Sequence, residues 1–186
     1  MYKCVLGLGL GLVLALSTTS AFGQQAIYLV RHAEKDGDEL TAKGKMQADR
    51  LASLLKDSGI MAVYTSQFDR TKKTAEPLIQ KLMMQGVSVR QDSLPLSDAL
   101  LRAPADPGLL AEYGTQAVKK LKASNADDIV LIVGHDVTVP AIIKAFGSMV
   151  PVMIETTEFD RLFLVVTRSD SDTRPPGLLQ ILHYAK

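Results

Sequence analysis

Two histidines, each placed after an apolar strand-like run, are the residues in this sequence best suited to chemistry. His32 follows residues 27–31 and has Arg31 directly before it, and His135 follows residues 129–134. The groups just past the carboxyl ends of neighbouring parallel strands meet in one crevice, so the two histidines are expected to share a site. Phosphate chemistry requires an arginine beside such a histidine, because guanidinium pairs with oxyanions through two parallel hydrogen bonds.

A second arginine follows another predicted strand. Arg70 comes shortly after residues 61–65, at the predicted start of a helix. An arginine in that position is ordinarily a solvated surface residue. Its place beside the same strand-end crevice makes it a second candidate for binding an anion.

The elements that must position these side chains alternate between apolar β-rich runs and amphipathic helical segments, a pattern typical of a single α/β domain with a mostly parallel sheet. Strands are predicted near Ala26–Val30, Met61–Thr65, Val87–Arg90, Ile129–Val133, Arg161–Thr167 and Leu178–His183. Helices are predicted over Thr41–Lys56, Asp69–Met84, Pro107–Lys122 and Val139–Phe146. The last two strands are joined by a polar turn region and are predicted to form an antiparallel hairpin at one edge.

The first 23 residues have the pattern of a signal peptide. Lys3 is positive, residues 4–16 are apolar, and residues 17–23 are mostly small, with cleavage-compatible side chains. The apolar run is shorter than the ~20 residues of a membrane-spanning helix, although an uncleaved N-terminal anchor is the alternative. We therefore expect a mature domain over residues 24–186 that is periplasmic or secreted.

The amino-acid composition excludes several kinds of site and partner. The only cysteine, Cys4, lies in the predicted signal peptide, which excludes disulfides, a cysteine-bound zinc site and a thiol nucleophile from the mature domain. Without Lys3, the chain carries 20 basic and 20 acidic residues, with no basic run that would indicate nucleic-acid binding.

The motifs resemble those of the histidine phosphatase superfamily, whose fold is phosphoglycerate-mutase-like. Residues 31–34 (Arg-His-Ala-Glu) resemble its Arg-His-Gly motif, residues 66–76 its second-arginine segment, and residues 133–135 its second-histidine segment. Ala33 stands where the family usually has glycine, which matters only if the backbone there needs a positive φ angle. The resemblance implies a three-layer α/β sandwich.

What the resemblance implies for function is a phosphatase acting on phosphate monoesters or related phosphoryl compounds through a phosphohistidine intermediate. His32 would be the nucleophile, and His135 would hold a proton and stabilise charge in the transition state. Arg31 and Arg70 would bind the phosphoryl oxygens, with Glu34 orienting Arg31. No metal or other cofactor is implied, because cationic side chains take the role that Mg²⁺ has in other phosphoryl transfers. The expected partner is a small phosphorylated substrate, such as an envelope sugar phosphate.

Two carboxylates compete for the role of the general acid. Asp98 follows the third predicted strand, where relatives place a catalytic carboxylate, and Asp136 directly follows the second histidine, as in the acid-phosphatase branch. Neighbouring cations would lower the pKa of Asp136 and make it a poorer proton donor, which favours Asp98. Water, or a leaving group that needs no acid, is the third possibility.

Other function classes stay open on sequence alone. The same pocket could bind a phosphate or phosphosugar without turnover, or the fold could serve as an envelope interaction scaffold. A metal site built from His32 and Glu34 lacks an evident third ligand. His183, in the last predicted strand, is expected to be structural.

Overall fold

The computed structural model describes residues 26–124, 128–167 and 179–184, which form a central β-sheet covered by helices. Within these residues the strands are β1 (Ala26–Arg31), β2 (Lys35–Asp36), β3 (Glu39–Leu40), β4 (Ile60–Thr65), β5 (Arg90–Ser93), β6 (Ile129–Gly134), β7 (Arg161–Val166) and β8 (Leu179–His183). The helices are α1 (Ala42–Leu55), α2 (Asp69–Met84), α3 (Asp98–Arg102), α4 (Pro107–Ser124) and α5 (Thr138–Ala145).

The main sheet has the strand order β5-β4-β6-β1-β7-β8. Strands β5, β4, β6 and β1 are parallel, whereas β7 and β8 are antiparallel to their neighbours. The predicted mostly parallel sheet with an antiparallel edge hairpin is therefore confirmed. Because β4, β6 and β1 are adjacent and parallel, their carboxyl ends lie side by side, and the residues that follow them converge.

Side chains alternate between two apolar cores, one on each face of the sheet, because successive strand residues point in opposite directions. On one face, Leu29 and Ile132 pack with α4 and α5 residues such as Leu121 and Ile142. On the other face, strand residues of β1, β4 and β6 pack with the apolar faces of α1 and α2. The result is the three-layer arrangement that the resemblance implied.

The predicted boundaries differ from the structure mainly at β5. Helix α2 begins and ends at the predicted residues, Asp69 and Met84. Strand β5 was expected at residues 87–90 but lies at Arg90–Ser93. Val87 and Val89 pack on the α1–α2 core instead, whereas the residues that pair with β4 are polar because β5 is at the sheet edge. The apolar side chains of Val87 and Val89 therefore placed the predicted strand too early in the sequence.

Two short features were not predicted, namely the β2–β3 hairpin and α3. Both are too short for periodicity to reveal them. The predicted signal peptide, residues 1–23, lies outside the described residues, as does the connection between β7 and β8. Among the helices described, none is long and apolar enough to cross a membrane.

Candidate active site

The two histidines lie side by side at the ends of adjacent strands. Strands β1 and β6 pair in parallel with Arg31 opposite Gly134, and the His32 N–H continues the ladder by donating to the Gly134 carbonyl at 2.9 Å. The ring centroids of His32 and His135 are 5.4 Å apart. A Cβ on Gly134 would lie 2.9 Å from Thr138 Oγ1, so a glycine is required where β6 turns into the His135 segment.

His32 is held in one tautomer by its own loop. Its Nδ1 lies 2.8 Å from the Ala33 carbonyl oxygen, which can only accept, so Nδ1 carries the proton and Nε2 carries the lone pair. Burial, together with the positive charges of Arg31 and Arg70, lowers the pKa of His32 to about 4. The ring is therefore neutral at pH 7 and offers Nε2 as a nucleophile.

Ala33, the residue after His32, has a backbone conformation that does not require glycine. Among the described residues no non-glycine has a positive φ angle, so Ala33 needs no glycine-like backbone. Its side chain is buried in a small cluster with Leu40 and Ala48. The Ala33 N–H donates to Thr74 Oγ1 at 2.9 Å, which ties the loop to α2.

Arg31 is fixed by backbone carbonyls from a distant segment. Its Nη1 donates to the carbonyls of residues 155, 156 and 158 at 2.8, 2.8 and 3.1 Å. Its Nη2 is 3.5 Å from Asp136 Oδ2, and the guanidinium lies 4.1 Å from the ring centroid of Phe159. These contacts orient a buried cation in a single direction.

Arg70 is fixed by the β2–β3 hairpin. Its Nη1 donates to Asp38 Oδ1 at 2.7 Å, and its guanidinium lies 4.0 Å from the Phe68 ring centroid. The Asp38 carboxylate also accepts from the Asp69 N–H at 3.1 Å, so it caps the start of α2 from outside the helix. Burial alone would raise the pKa of Asp38, but these N–H bonds and Arg70 lower it, so the group stays anionic.

The charged and aromatic groups form a continuous series of contacts across the site. Phe68 meets the His135 ring edge at 5.5 Å between centroids, and Phe159 lies 6.0 Å from the His32 ring. Each arginine thus contacts a phenylalanine that also lies against one of the two histidines. The Nε of Arg31 and that of Arg70 are buried, and within the described part of the chain no group accepts from either. Two unpaired cationic donors beside a neutral histidine make a site for an oxyanion.

His135 contacts a buried pair of hydroxyl groups. Its Nε2 is 3.1 Å from Ser66 Oγ, and Ser66 Oγ is 3.0 Å from Thr71 Oγ1. Burial, together with His32, Arg70 and Arg31, lowers the pKa of His135 to about 3. Like His32, the ring is neutral at pH 7 when no anion is bound.

The remaining candidate residues lie further out. Glu34 was expected to orient Arg31, but its carboxylate pairs with Lys43 at 3.0 Å and accepts from Thr41, because Thr41 and Lys43 begin α1 directly beside it. Asp98 is an exposed residue in the first turn of α3, and among the described residues no hydrogen bond or ion pair joins it to either histidine. Asp136 is the carboxylate in contact with Arg31.

Several residues of the site were not singled out from the sequence. Thr71 and Thr74 carried a usable signal, since they lie on the helical face that also buries Ala75 and Leu78. Buried hydroxyls on an apolar helical face call for a polar partner. Phe159 and Asp38 gave no local signal. Among the described residues no group of three or more histidine, cysteine or acidic side chains could hold a metal ion.

Comparison with known proteins gives the same assignment of fold. Residues 27–93 match the family model of the histidine phosphatase superfamily (branch 1). Among curated proteins, none matches this sequence significantly. A mycobacterial glucosyl-3-phosphoglycerate phosphatase is similar in structure, with a TM-score of 0.60 and 19% identity over 87% of this chain and 99% of that one.

Two other solved structures are similar to the same degree. The protein YhfR of Bacillus stearothermophilus has a TM-score of 0.59 and 19% identity, over 87% of this chain and 97% of that one. A phosphoserine phosphatase from Entamoeba histolytica has a TM-score of 0.59 and 15% identity, over 87% and 98%. The chain therefore has the phosphoglycerate-mutase-like α/β fold, and its sequence match over residues 27–93 and its site geometry support a phosphoric ester hydrolase.

Proposed function

We propose that this protein is an exported phosphatase that hydrolyses phosphate monoesters of small molecules through a phosphohistidine formed on His32. The observation that carries the proposal is the state of His32. Its Nδ1–H is committed to the Ala33 carbonyl, its ring is neutral, and two arginines with unpaired buried Nε groups stand nearby. A nucleophile and an oxyanion site are thus assembled together.

The proposed reaction has two steps. In the first, the Nε2 lone pair of His32 forms a P–N bond as the ester P–O bond breaks, and the leaving oxygen takes a proton. In the second, water attacks phosphorus, its proton leaves, and the P–N bond breaks to return the lone pair to Nε2. Arg31 and Arg70 neutralise the phosphoryl oxygens in both steps, because guanidinium stays charged at any working pH.

The proton for the leaving oxygen comes from Asp98, from Asp136, or from water without a protein acid. Asp136 touches Arg31, whereas Asp98 is exposed on α3, and Asp98 stays the prediction made from the sequence. Asp98→Asn and Asp136→Asn should be compared on an alkyl phosphate and on an activated aryl phosphate. Loss of the true acid cripples the alkyl substrate far more, since only the alkoxide needs the proton. Equal losses on both substrates would assign the residue to pocket support.

The substrate class we propose is a small phosphorylated metabolite, with an envelope sugar phosphate as the leading candidate. Support comes from the two similar structures that are phosphatases of glucosyl-3-phosphoglycerate and phosphoserine, and from the signal-like pattern of residues 1–23. A screen of phosphorylated metabolites and envelope glycans tests the substrate class. Cell fractionation, with the mass of the mature chain, tests export and cleavage.

The covalent step is tested by trapping the enzyme with an aryl phosphate and mapping the phosphopeptide. We expect phosphate on His32, labile in acid and stable in alkali, and no phosphate release by His32→Ala. His183→Ala is the matched control, because His183 lies on β8 with Asp160 as its partner and should keep full turnover. Phosphate on Ser66, or turnover by direct attack of water without an intermediate, would contradict the proposal. Phosphate binding without turnover would favour a noncatalytic binding protein.

A further inference from the structure

The hydroxyl pair beside His135 has a hydrogen-bond pattern that fixes where its protons lie. Thr71 Oγ1 is 2.7 Å from the Phe68 carbonyl and 3.3 Å from the Ser66 carbonyl, and a carbonyl can only accept. The single hydroxyl proton of Thr71 is therefore directed to Phe68, the shorter contact. Toward Ser66, 3.0 Å away, Thr71 can then only accept.

The same accounting sets the direction of the bond to His135. Ser66 has one hydroxyl proton, which goes to Thr71, so Ser66 Oγ must accept from its other neighbours. One of these is the Phe68 N–H at 3.4 Å, which is a donor. The other is His135 Nε2 at 3.1 Å, which must then carry a proton. A neutral His135 consequently has its lone pair on Nδ1.

We infer that Ser66 and Thr71 act as positioning residues that hold His135 in the Nε2–H tautomer, so that a bound phosphoryl group can contact this histidine only by bringing a proton to Nδ1. The inference rests on the proposed function only in taking the bound anion to be a phosphoryl group. The two histidines thereby hold opposite tautomers, with His32 protonated on Nδ1 and His135 on Nε2.

The groups around His135 disfavour a proton on Nδ1 unless an anion is bound. Burial, His32, Arg70 and Arg31 oppose a positive charge on the ring, whereas Asp38 favours it. A phosphoryl dianion adds two negative charges among these groups and reverses the balance. Binding of a dianion is then accompanied by uptake of a proton from solvent, shared between Nδ1 and a phosphoryl oxygen.

Proton uptake can be measured without any turnover. Titration calorimetry with phenylphosphonate at pH 8, whose dianion carries no proton of its own, in buffers of different ionisation enthalpy, should show uptake of about one proton per anion bound. Nitrogen-15 NMR of the unliganded protein should show His135 protonated at Nε2 and not at Nδ1. Binding of this dianion with no proton uptake, or a His135 ring protonated at Nδ1, would overturn the inference even if the protein is a phosphatase.

Two variants of Thr71 separate positioning from folding. Thr71→Val removes the hydroxyl that accepts the Ser66 proton, so Ser66 is free to donate to Nε2 and His135 moves to the Nδ1–H tautomer. Proton uptake should then fall towards zero. The value of kcat should decrease by on the order of a hundredfold, because the proton is no longer held for transfer. Thr71→Ser keeps the hydroxyl and should behave as the parent protein.

A control excludes a general effect of losing a threonine from a helix. Thr115→Val changes an exposed threonine of α4 whose hydroxyl bonds only back along its own helix, to the Ala111 carbonyl. It should leave both proton uptake and tautomer unchanged. If Thr71→Val takes up as many protons as Thr71→Ser while binding the anion, Ser66 and Thr71 do not set the tautomer of His135. Proton-linked anion binding in a protein with no phosphatase turnover would instead contradict the proposed function and leave this role of Ser66 and Thr71 intact.

Discussion

Asp38, at the tip of the β2–β3 hairpin, places a carboxylate oxygen 2.7 Å from the Arg70 guanidinium, so an internal anion already occupies one edge of the arginine that we propose to bind phosphate. The same carboxylate caps α2, which carries Arg70 in its first turn. The hairpin therefore both orients this arginine and competes with any anion that binds it.

Replacing Asp38 separates these two effects. Asp38→Asn keeps an oxygen that can accept from Arg70 but removes the competing charge, so we expect inorganic phosphate to inhibit roughly fivefold more tightly. Asp38→Ala also loses the cap, so it should weaken phosphate binding and destabilise the protein by about 1 kcal/mol. Inhibition constants and urea unfolding measure both.

The matched control for Asp38 is its neighbour Glu39. Glu39→Gln removes a negative charge from the same hairpin, but its partner is Lys73, which lies further along α2. If Glu39→Gln tightens phosphate inhibition as much as Asp38→Asn does, the effect comes from net charge and not from the contact with Arg70.

Replacing Arg31 and replacing Arg70 should have different effects on activity and stability. Arg31→Ala strands three backbone carbonyls, so it should reduce both kcat/KM and stability, the latter by roughly 2 kcal/mol. Arg70→Ala frees only a half-exposed carboxylate and should reduce kcat/KM, by on the order of a hundredfold, with little loss of stability. Lysine should rescue neither kinetic defect well, because it lacks the planar fork. Near-normal turnover in Arg70→Ala would return that residue to an ordinary surface role.

The buried histidines should make stability fall in acid. The pKa of His32 is lowered from 6.5 to about 4 and that of His135 from 6.5 to about 3. Between pH 6.5 and these values the unfolded chain binds more protons than the folded one, so the free energy of unfolding decreases as pH falls through this window. His32 alone should account for a loss on the order of 3 kcal/mol.

The measurement is urea unfolding at intervals from pH 7 to pH 4. His32→Asn should flatten the curve, because it removes one group that must charge on unfolding. His183→Asn, on the exposed face of β8, should leave the slope unchanged. A parent protein whose stability does not change over this range would contradict the burial of neutral histidines.

Gly44 allows α1 to lie directly against the backbone of the nucleophile segment. A Cβ at this position would be 2.0 Å from the Glu34 carbonyl oxygen. Gly44→Ala should therefore shift residues 32–34 and reduce both activity and stability, the latter by about 2 kcal/mol. Gly108→Ala in α4 is the control, because its nearest neighbour is the movable carboxylate of Asp106 at 3.2 Å. Equal losses in both variants would show that the close approach is unimportant.

The sequence sufficed to predict the parts of the fold in which local pattern and tertiary environment agree. Helix α2 was predicted to the residue, and its apolar positions recur at helical spacing from Ala75 to Leu82. Strands β1 and β6 were recognised because strands buried on both faces are continuously apolar. Strand β5 was misplaced because an edge strand with polar side chains resembles a loop.

The site was predictable where its residues follow strands in the chain, as His32, His135 and Arg70 do. The groups that orient them could not be predicted in the same way, because they come from elsewhere in the fold. Asp38 reaches Arg70 across a hairpin of two-residue strands, and the carbonyls that hold Arg31 are more than 120 residues away in sequence. The contact of Glu34 with Lys43 was missed for the same reason, since proximity in sequence did not reveal it.

Strand β1, which His32 directly follows, has β6 and β7 as its neighbours in the sheet, and both come late in the chain. Arg31 likewise depends on the carbonyls of residues 155, 156 and 158. During synthesis, or during passage through a pore with the N-terminus first, the chain thus contains His32 long before the residues that complete the proposed phosphate site. Hydrolytic capacity should arise in one step, when the β7 segment docks, and a nascent or truncated chain is kept from acting on phosphorylated molecules it meets on the way.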